Sequence, residues 1–397
     1  MYPRLSDLIY DLTGYFPCLP IQTYGFFLAL GFVAAGMILY AEFRRMERAG
    51  LMQGVNVSRI VGTPATASEL IVNGIIGFLL GYKIVAAAMD WKYFADNPQD
   101  FIVSPEGSIV GGIVLAVVLV GLRWYEKKKD QLPVPQTIEE TIFPHQRIGD
   151  LIVIAAIAGI LGSKVFTWME DWENFMRDPI GALLSFSGLM FYGGLICGSI
   201  ALIVYAKMVK IPIWRMTDAA GMAVIVGYGI GRLGCHFAGD GDWGIANTLT
   251  RPNWLSWLPD WAWAYTYPHN VINEGIALVN CSMPCCVDIP GCATRYCKVL
   301  PEGVFPTSVY EFLMAMAIFG VLWLLRKRIS TAGILFGIFL ILNGIERFLI
   351  EFVRINDRHT ILGIELSFSQ YIALGLVALG IGVVGTRKMM HNADMKN

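Results

Sequence analysis

The stretch ILFGIFLILNGIERFLI, from Ile334 to Ile350, is apolar enough to cross a lipid bilayer, yet it carries Glu346 and Arg347 side by side. Burying one arginine in mid-membrane costs roughly 2.5–3.5 kcal/mol even on a lenient insertion scale, so such a residue usually has a functional partner. Arg232 lies at the end of another apolar run and raises the same question. The two arginines together predict a membrane-embedded site for a negatively charged group.

The composition predicts an all-α, polytopic membrane protein that forms a single membrane domain over residues 1–397. Hydrophobic residues make up 55% of the chain and charged residues only 15%, and the mean hydropathy is +0.56. These values exclude an ordinary water-soluble enzyme. A spanning helix needs about 20 apolar residues. Nine stretches approach that length, near residues 21–43, 69–89, 107–124, 148–168, 187–206, 217–234, 305–325, 331–353 and 366–386.

The charges between these stretches predict the orientation of the chain, because cations are concentrated in every second connection. The short loops on the other side carry few cations, with Lys92 in one and Arg177 in another. The amino terminus is therefore predicted outside, the carboxyl terminus inside, and residues 235–304 in a long outer, periplasmic loop. Nucleic-acid binding is not expected, because the net charge is −1 and no basic stripe is present. Five cationic clusters are predicted to face the cytoplasm: Arg44, Arg45, Arg48; Arg123, Lys127, Lys128, Lys129; Lys207, Lys210, Arg215; Arg326, Lys327, Arg328; and Arg387, Lys388.

Cysteines are concentrated in the predicted outer loop. On the oxidising side of a membrane they favour disulfide bonds, and an odd number leaves one thiol unassigned. A zinc site is the alternative, but the spacing gives no paired C-x-x-C and only His269 is nearby. We therefore expect no metal, and the pairing stays open. Five of the eight cysteines lie here: Cys281, Cys285, Cys286, Cys292 and Cys297.

The chain contains an internal repeat. Residues 68–125 are predicted to be a duplicated copy of the helix pair at 149–207, because one constant shift of the sequence against itself superimposes similar residues. Chance similarity between glycine-rich helices is the alternative. The shift places Glu69 on Asp150, Gly81-Tyr82-Lys83 on Gly162-Ser163-Lys164, Asp90-Trp91 on Asp171-Trp172, Phe94 on Phe175, Asn97-Pro98 on Asp178-Pro179, Gly107 on Gly188 and Gly112 on Gly193.

The segment from Gly231 to Gly244, GRLGCHFAGDGDWG, combines five glycines with one arginine, one histidine and two carboxylates. Glycines allow close approach of the backbone to a ligand, and backbone N–H groups beside a guanidinium can cradle a phosphate. The alternative is an ordinary turn with Arg232 reaching to the lipid headgroups. Because Arg232 follows an apolar helix and is flanked by glycines, we favour phosphate binding.

A second group follows in the stretch quoted first. Arg347, Glu351 and Arg354 have the spacing i, i+4, i+7 and are predicted to share one helix face. Glu351 can neutralise one arginine but not both, which leaves one positive charge for an anionic ligand. Glu346 points elsewhere and is a candidate counter-ion for Lys164 or Arg232.

These motifs resemble, in order, those of the prolipoprotein diacylglyceryl transferases, from about Tyr24 to Arg354 with the extra helix pair set aside. Four positions depart from the family pattern: Tyr192 and Phe305 each replace a histidine, Cys235 replaces an asparagine, and Asp240, with a one-residue insertion, replaces a glutamate. The resemblance is carried by Tyr24-Gly25, by Ser187 to Ile196 (SGLMFYGGLI), by Gly231 to Gly244, by Pro306 to Glu311 (PTSVYE) and by Arg347 to Arg354.

The resemblance implies transfer of the diacylglyceryl group of phosphatidylglycerol to the lipobox cysteine of a prolipoprotein signal peptide, in a bacterial inner membrane, at a site facing the outer leaflet. Arg232 and Arg347 would hold the headgroup. His236, Asp240 and Tyr192, in that order, are candidate bases for the thiol, and no metal or other cofactor is expected. The substrate-binding candidates are Tyr24, Gly193, Gly194, Gly231, Gly234, Gly244, Tyr310, Glu311, Glu351 and Arg354. A paralogue with another acceptor, a transporter or flippase of an anionic lipid, and an inactive lipid-binding scaffold are the alternatives.

Overall fold

The computed structural model describes residues 1–96, 98–184, 190–286, 291–356, 358–361 and 364–394. Asn97 of the repeat and Ser187 to Leu189 of the family motif lie outside these residues. Within the described ranges the strands form three two-stranded antiparallel ribbons: β1 Val55–Val61 with β2 Gln136–Ile142, β3 Ile276–Ala277 with β4 Lys298–Val299, and β5 Arg358–Ile361 with β6 Ile364–Ser367. The helices are α1 Leu5–Thr13, α2 Thr23–Arg48, α3 Ala67–Met89, α4 Trp91–Asp96, α5 Pro98–Val103, α6 Ile109–Lys129, α7 Ile148–Glu170, α8 Trp172–Arg177, α9 Pro179–Leu184, α10 Phe191–Met208, α11 Ile213–Ala238, α12 Asp260–Trp263, α13 Thr307–Leu325, α14 Ile334–Ile350 and α15 Phe368–Asp394.

A long helix stands at each of the predicted stretches in the described part of the chain, and the all-α, multi-pass membrane architecture is confirmed. Six of these helices are long and apolar enough to cross a membrane: α2, α3, α6, α7, α13 and α15. Helix α10 is apolar but shorter, and α11 and α14 carry internal charges. The number of helices that cross and their orientation remain predictions.

Helix α11 is the centre of the fold, since it packs against α2, α13 and α14. It approaches α2 closely, because a Cβ on Gly31 would lie 3.0 Å from the carbonyl oxygen of Gly227. Towards α13 and α14 it buries Met222 and Ile225 beside Leu322 and Phe339. A buried apolar core therefore joins α11 and α14, the two helices that carry Arg232 and Arg347, to α13.

The two proposed copies have the same order of helices. Helices α3, α4 and α5 match α7, α8 and α9 in order, and the shift that aligns the two sequences also aligns the starts of all three pairs. Lys83 donates hydrogen bonds to carbonyl oxygens at the end of α5, and Lys164 donates one to a carbonyl in α9. Duplication stays a prediction, which these contacts support.

The second helix of each copy, α6 or α10, is offset by one residue from the sequence alignment. The amide of Ser108 donates to the carbonyl of Tyr82, and that of Met190 donates to the carbonyl of Ser163. A Cβ on Gly111 would lie 2.7 Å from the carbonyl oxygen of Gly81, as one on Gly193 would lie 2.5 Å from that of Gly162. Gly193 therefore corresponds to Gly111, not to Gly112, because a constant shift misses the extra residue in the connection before α10.

The additional helix pair is connected to the rest of the chain at both ends through one ribbon, and Asp96 of this segment also lies 3.2 Å from Arg4 near α1. Strand β1 precedes α3 and β2 follows α6, and they pair antiparallel from Val55 opposite Ile142 to Val61 opposite Gln136. The segment between β1 and β2 thus begins and ends at neighbouring positions. Such an insertion leaves the order and direction of all later helices unchanged.

The predicted outer loop is closed by disulfides, which agrees with the expectation from its cysteines. Two bonds lie inside it, Cys281–Cys297 and Cys285–Cys292. The fifth cysteine, Cys286, pairs with Cys18 near the start of the chain. No partner for Cys286 could be predicted, because that partner lies 268 residues away in the sequence.

Candidate active site

Three arginines converge on one carboxylate, that of Glu311 in the first turns of α13. The distances to its oxygens are 3.0 Å from Nε of Arg232, 3.3 Å from Nη1 of Arg347 and 3.1 Å from Nη1 of Arg354. Glu311 is completely buried. One carboxylate therefore holds together guanidinium groups from α11, from α14 and from the turn that follows α14. We call these residues, with Asp242 and Glu351, the arginine cluster.

Asp242, just after α11, is the second carboxylate of the cluster. It forms ion pairs with Arg232 and, at 2.6 Å, with Arg354. Its backbone carbonyl accepts hydrogen bonds from the hydroxyls of Thr307, at 2.9 Å, and Ser308, at 2.8 Å. Burial would raise the pKa of Asp242, but Arg232 and Arg354 outweigh it and hold that pKa below its ordinary value. Its side chain is 34% exposed, whereas that of Glu311 is 0% exposed, so Asp242 is a charged group that solvent can reach.

Glu351 is the third carboxylate. It lies 3.2 Å from Nη2 of Arg347 and accepts hydrogen bonds from the Ser367 hydroxyl, at 2.7 Å, and from Asn356, at 2.5 Å. Arg347 also donates to the hydroxyl of Ser369 at 3.0 Å. Residues around the start of α15 therefore fix the orientation of the arginine and its carboxylate on α14.

The charges of the arginine cluster are balanced, three guanidiniums by three carboxylates. The prediction that one positive charge on α14 is left over is therefore wrong, because Glu311 accepts Arg347 and Arg354 together. Glu346 is buried beside the cluster, and neither of its carboxyl oxygens has a hydrogen-bond partner among the described residues. Its predicted pairing with Lys164 or Arg232 is not supported.

His236, the first candidate base, lies in an aromatic cluster. Its Nδ1 is 3.1 Å from the hydroxyl of Tyr267, and its ring centroid lies within 6 Å of those of Phe237, Trp261 and Tyr265. It is only 6% exposed. The described contacts of His236 thus hold the last turn of α11 against the outer loop.

Asp240, the second candidate base, lies beside the arginine cluster. Its carboxylate accepts a hydrogen bond from the amide of Asp242 at 3.2 Å, and the thiol of Cys235 and both carboxylates lie within 4.8 Å of one another. Burial raises the pKa of Asp240, and repulsion from Asp242 raises it further. These three groups have the donor types of a metal site, but the Cys235 sulfur is also 3.9 Å from Arg232, which disfavours a cation.

The predicted glycines fall into two groups. A Cβ on Gly193 or Gly194 would meet backbone atoms of α7, so these two residues serve the contact between α7 and α10. Gly234 faces α2, where a Cβ would lie 3.4 Å from the carbonyl oxygen of Tyr24. Gly244 donates a backbone hydrogen bond to Phe305 at 2.8 Å, beside Arg354. Gly231 has open space around its Cα.

The three tyrosines among the predicted site residues lie on different helices. Tyr24, at the start of α2, is 41% exposed. Tyr310 donates its hydroxyl hydrogen to the carbonyl of Ala262, 2.9 Å away in α12. Tyr192 lies in the first turn of α10 and is 39% exposed, on a helix that carries none of the residues of the arginine cluster.

Sequence reasoning missed Asp242 as a member of the site, together with the hydroxyls that hold it. The signal was present, because Asp242 lies two residues after Asp240 in the glycine-rich segment and Thr307 and Ser308 lie in the motif before Glu311. Because this segment contains one inserted residue, Asp240 aligns with the glutamate of the family pattern and Asp242 is left without a predicted role. The structure shows that the second one contacts the arginines.

Comparison with known proteins places the chain among similar sequences. Residues 134–386 match the family model "prolipoprotein diacylglyceryl transferase", and the match begins after α6. Similar proteins include phosphatidylglycerol–prolipoprotein diacylglyceryl transferases from Symbiobacterium thermophilum (27% identical over 59% of this chain and 74% of the relative), Bacillus cytotoxicus (27%, over 72% and 90%) and Chromohalobacter salexigens (29%, over 62% and 74%).

Proposed function

The chain belongs to the prolipoprotein diacylglyceryl transferase family, and we propose that it transfers the diacylglyceryl group of phosphatidylglycerol to the lipobox cysteine of a prolipoprotein, with release of glycerol phosphate. The observation that carries this proposal is the meeting of Arg232 and Arg347, from separate helices, at the carboxylate of Glu311. Such an arrangement suits an anionic headgroup in a membrane.

In the proposed reaction the cysteine thiolate attacks the glycerol carbon that bears the phosphate ester. A carbon–sulfur bond forms, the carbon–oxygen bond breaks, and its electron pair leaves with the glycerol phosphate. The two arginines would stabilise the negative charge that develops on the phosphate, because fixed guanidiniums in a site with little water do this better than water does. Their attachment to Glu311 keeps them in place before the substrate arrives.

Binding of the phosphate requires one carboxylate to move, because the cluster is already neutral. Glu311 and Glu351 are almost completely buried, at 0% and 1% side-chain exposure, whereas Asp242 is 34% exposed. The backbone of Asp242 is held by two hydroxyls, so rotation of its side chain alone would release Arg232 and Arg354. We therefore propose that the phosphate takes the position of the Asp242 carboxylate, in contact with Arg232 and Arg354, while Arg347 acts from beside it on Glu311.

The thiol must lose its proton, since only the thiolate is a good nucleophile. Of the three candidate bases, Asp240 has described contacts beside Arg232 and Asp242. A carboxyl group with a raised pKa is a better proton acceptor than an ordinary aspartate. Asp240 is therefore our choice for the base, ahead of His236 and Tyr192.

We further infer that the site opens towards the outer leaflet of a bacterial inner membrane. The cluster lies at the ends of α11 and α14 that adjoin the loop at 235–304, and the disulfides of this loop are suited to an oxidising compartment. Both substrates would approach from that side.

The test is transfer by the purified full-length protein in phosphatidylglycerol vesicles with a lipobox peptide. Mass spectrometry would detect the diacylglyceryl increment on the cysteine, and Arg232→Ala and Arg347→Ala would abolish most of it. Arg326→Ala, at the other end of α13, is the matched control. Absence of the increment with the unaltered protein, under every lipid composition tried, would overturn the proposal.

A further inference from the structure

A short segment of the outer loop, residues 249–261, exposes large apolar side chains to an unusual degree. Trp254 and Trp257 are each 74% exposed, Leu249 is 63% exposed and Trp261 is 46% exposed. We call this segment the tryptophan loop. Contact of so much aromatic surface with water is unfavourable, so a partner with an apolar component is expected to cover it.

Polar contacts link the two ends of the tryptophan loop to each other and to α12. Arg251 donates to the carbonyl of Leu258 at 2.6 Å and forms an ion pair with Asp260 at 2.9 Å. The indole N–H of Trp263 donates to the carbonyl of Leu249 at 3.3 Å. These contacts restrict the backbone that carries the exposed side chains, which reduces the ordering cost when they bind.

The position of the loop identifies the surface that it meets. Val304, just before α13, forms bridges with Ala246 and Tyr265, on either side of the loop. Tyr310, in the first turn of α13, bonds to the backbone of α12. The tryptophan loop thus lies at the level where a membrane-spanning helix begins. One turn further along α13, Leu313 is 58% exposed, so the lipid-facing surface of this helix continues from the loop.

We propose that the tryptophan loop is an interfacial anchor that inserts its indoles into the headgroup region of the phospholipid layer next to the arginine cluster. Tryptophan prefers this region, because its ring is apolar and its N–H can bond to headgroups or water. Tyr310 directly precedes Glu311, so the anchor also sets the depth of the cluster relative to the headgroups. The anchor goes beyond the proposed transferase reaction and does not depend on it.

The test uses full-length protein carrying Cys197→Ala, so that a cysteine introduced by Trp254→Cys can be labelled with an environment-sensitive fluorophore without reduction of the disulfides. The other free thiol, Cys235, is buried. Val279→Cys is the matched control, because Val279 is 88% exposed on the same outer loop. In vesicles of phosphatidylcholine and phosphatidylglycerol, we expect emission from position 254 to shift to the blue and to be quenched by lipids brominated near the headgroup. Position 279 should show neither effect.

Emission from position 254 that matches emission from position 279 would overturn the anchor. A change at position 254 that occurs only after a lipobox peptide is added would also overturn it, in favour of a peptide-binding surface. Trp257→Cys provides a second labelling position if the first variant does not fold. Transfer activity is measured separately, so a protein that contacts lipid but does not transfer leaves the anchor intact and contradicts only the proposed reaction.

Discussion

Two completely buried glutamates, Glu42 and Glu311, organise arginines at opposite ends of the helix bundle. At the predicted inner end, Glu42 accepts Arg45 at 2.5 Å and Arg326 at 2.9 Å. The guanidinium of Arg326 also lies 3.0 Å from the ring centroid of Trp323. The side chains of Arg326 and Arg45 are 11% and 24% exposed, in the same range as the arginines bound to Glu311.

The outer cluster differs in one respect that matters for chemistry. Glu311 gathers three arginines, and two of them share the exposed carboxylate of Asp242. A buried glutamate alone therefore does not mark an active site, because both ends of the bundle have one. The distinguishing feature is a second, solvent-accessible carboxylate, which we propose that a substrate anion replaces.

The largest expected effect separates the two ends of the bundle. Arg232→Ala or Arg347→Ala should lower the transfer rate by about 10³, because removing one preorganised donor costs about 10²–10³ in rate. Arg326→Ala should instead reduce stability, by about 3 kcal/mol, since it leaves Glu42 with fewer partners. Rates per folded enzyme and thermal unfolding in detergent measure the two effects. Equal rate losses at both ends would contradict the comparison.

Asp240→Asn should lower the rate by about 10², the usual contribution of a general base. Because burial raises the pKa of Asp240 and the base must be ionised, the rate of the unaltered enzyme should rise with pH through that raised pKa and be lost below it. The pH profile of the transfer rate at saturating lipid measures this. A profile of the same shape in Asp240→Asn would assign the proton to another group.

Replacing the two glutamates tests their roles directly. Glu311→Gln keeps a hydrogen-bond acceptor but loses the charge, which should cost about 1.4 kcal/mol, or about tenfold in rate. Glu42→Gln should lower the unfolding temperature with little change in rate. Parallel measurements of rate and unfolding temperature check both variants, and a rate loss in Glu42→Gln alone would reverse the assignment.

The long helices could be predicted from the sequence, because apolar stretches of spanning length are local signals. Long helices lie at all the expected places in the described chain. Arg232 and Arg347 both contact Glu311, whereas their predicted contact with a lipid headgroup stays a prediction. The charge balance could not be predicted, because it depends on how Glu311 is shared across helices. His236 was ranked first from its spacing to Arg232, but distant Tyr267 determines its contacts.

Asp242→Asn should strengthen binding of the product glycerol phosphate by about fivefold, equivalent to about 1 kcal/mol, because a competing charge is removed from Arg232 and Arg354. The inhibition constant of glycerol phosphate in the transfer assay measures this. Glu351→Gln is the buried control and should not tighten binding. Weaker binding in Asp242→Asn would show that this carboxylate supports the site instead of occupying it.

The smallest effect is expected from removing the additional helix pair. Replacing residues 62–135 by Asn-Gly joins Val61 to Gln136, which already face each other in the ribbon, through a two-residue hairpin turn. The arginines bound to Glu42 and to Glu311 all lie outside the deleted residues, so the rate should stay within about twofold, as for independent sites. Steady-state transfer by the shortened protein measures this. A loss comparable to that of Arg232→Ala would show that the pair takes part in catalysis.

The bond between Cys18 and Cys286 has a consequence for biogenesis. Cys18 leaves the ribosome early, whereas its partner follows after 268 more residues, so the thiol has to wait through most of the synthesis of the chain. Between Cys18 and the first cysteine of the loop, Cys281, the chain contains two further cysteines, Cys197 and Cys235. We therefore expect correct pairing to require that Cys18 stays reduced until the segment with Cys286 has been made and lies on the same side of the membrane.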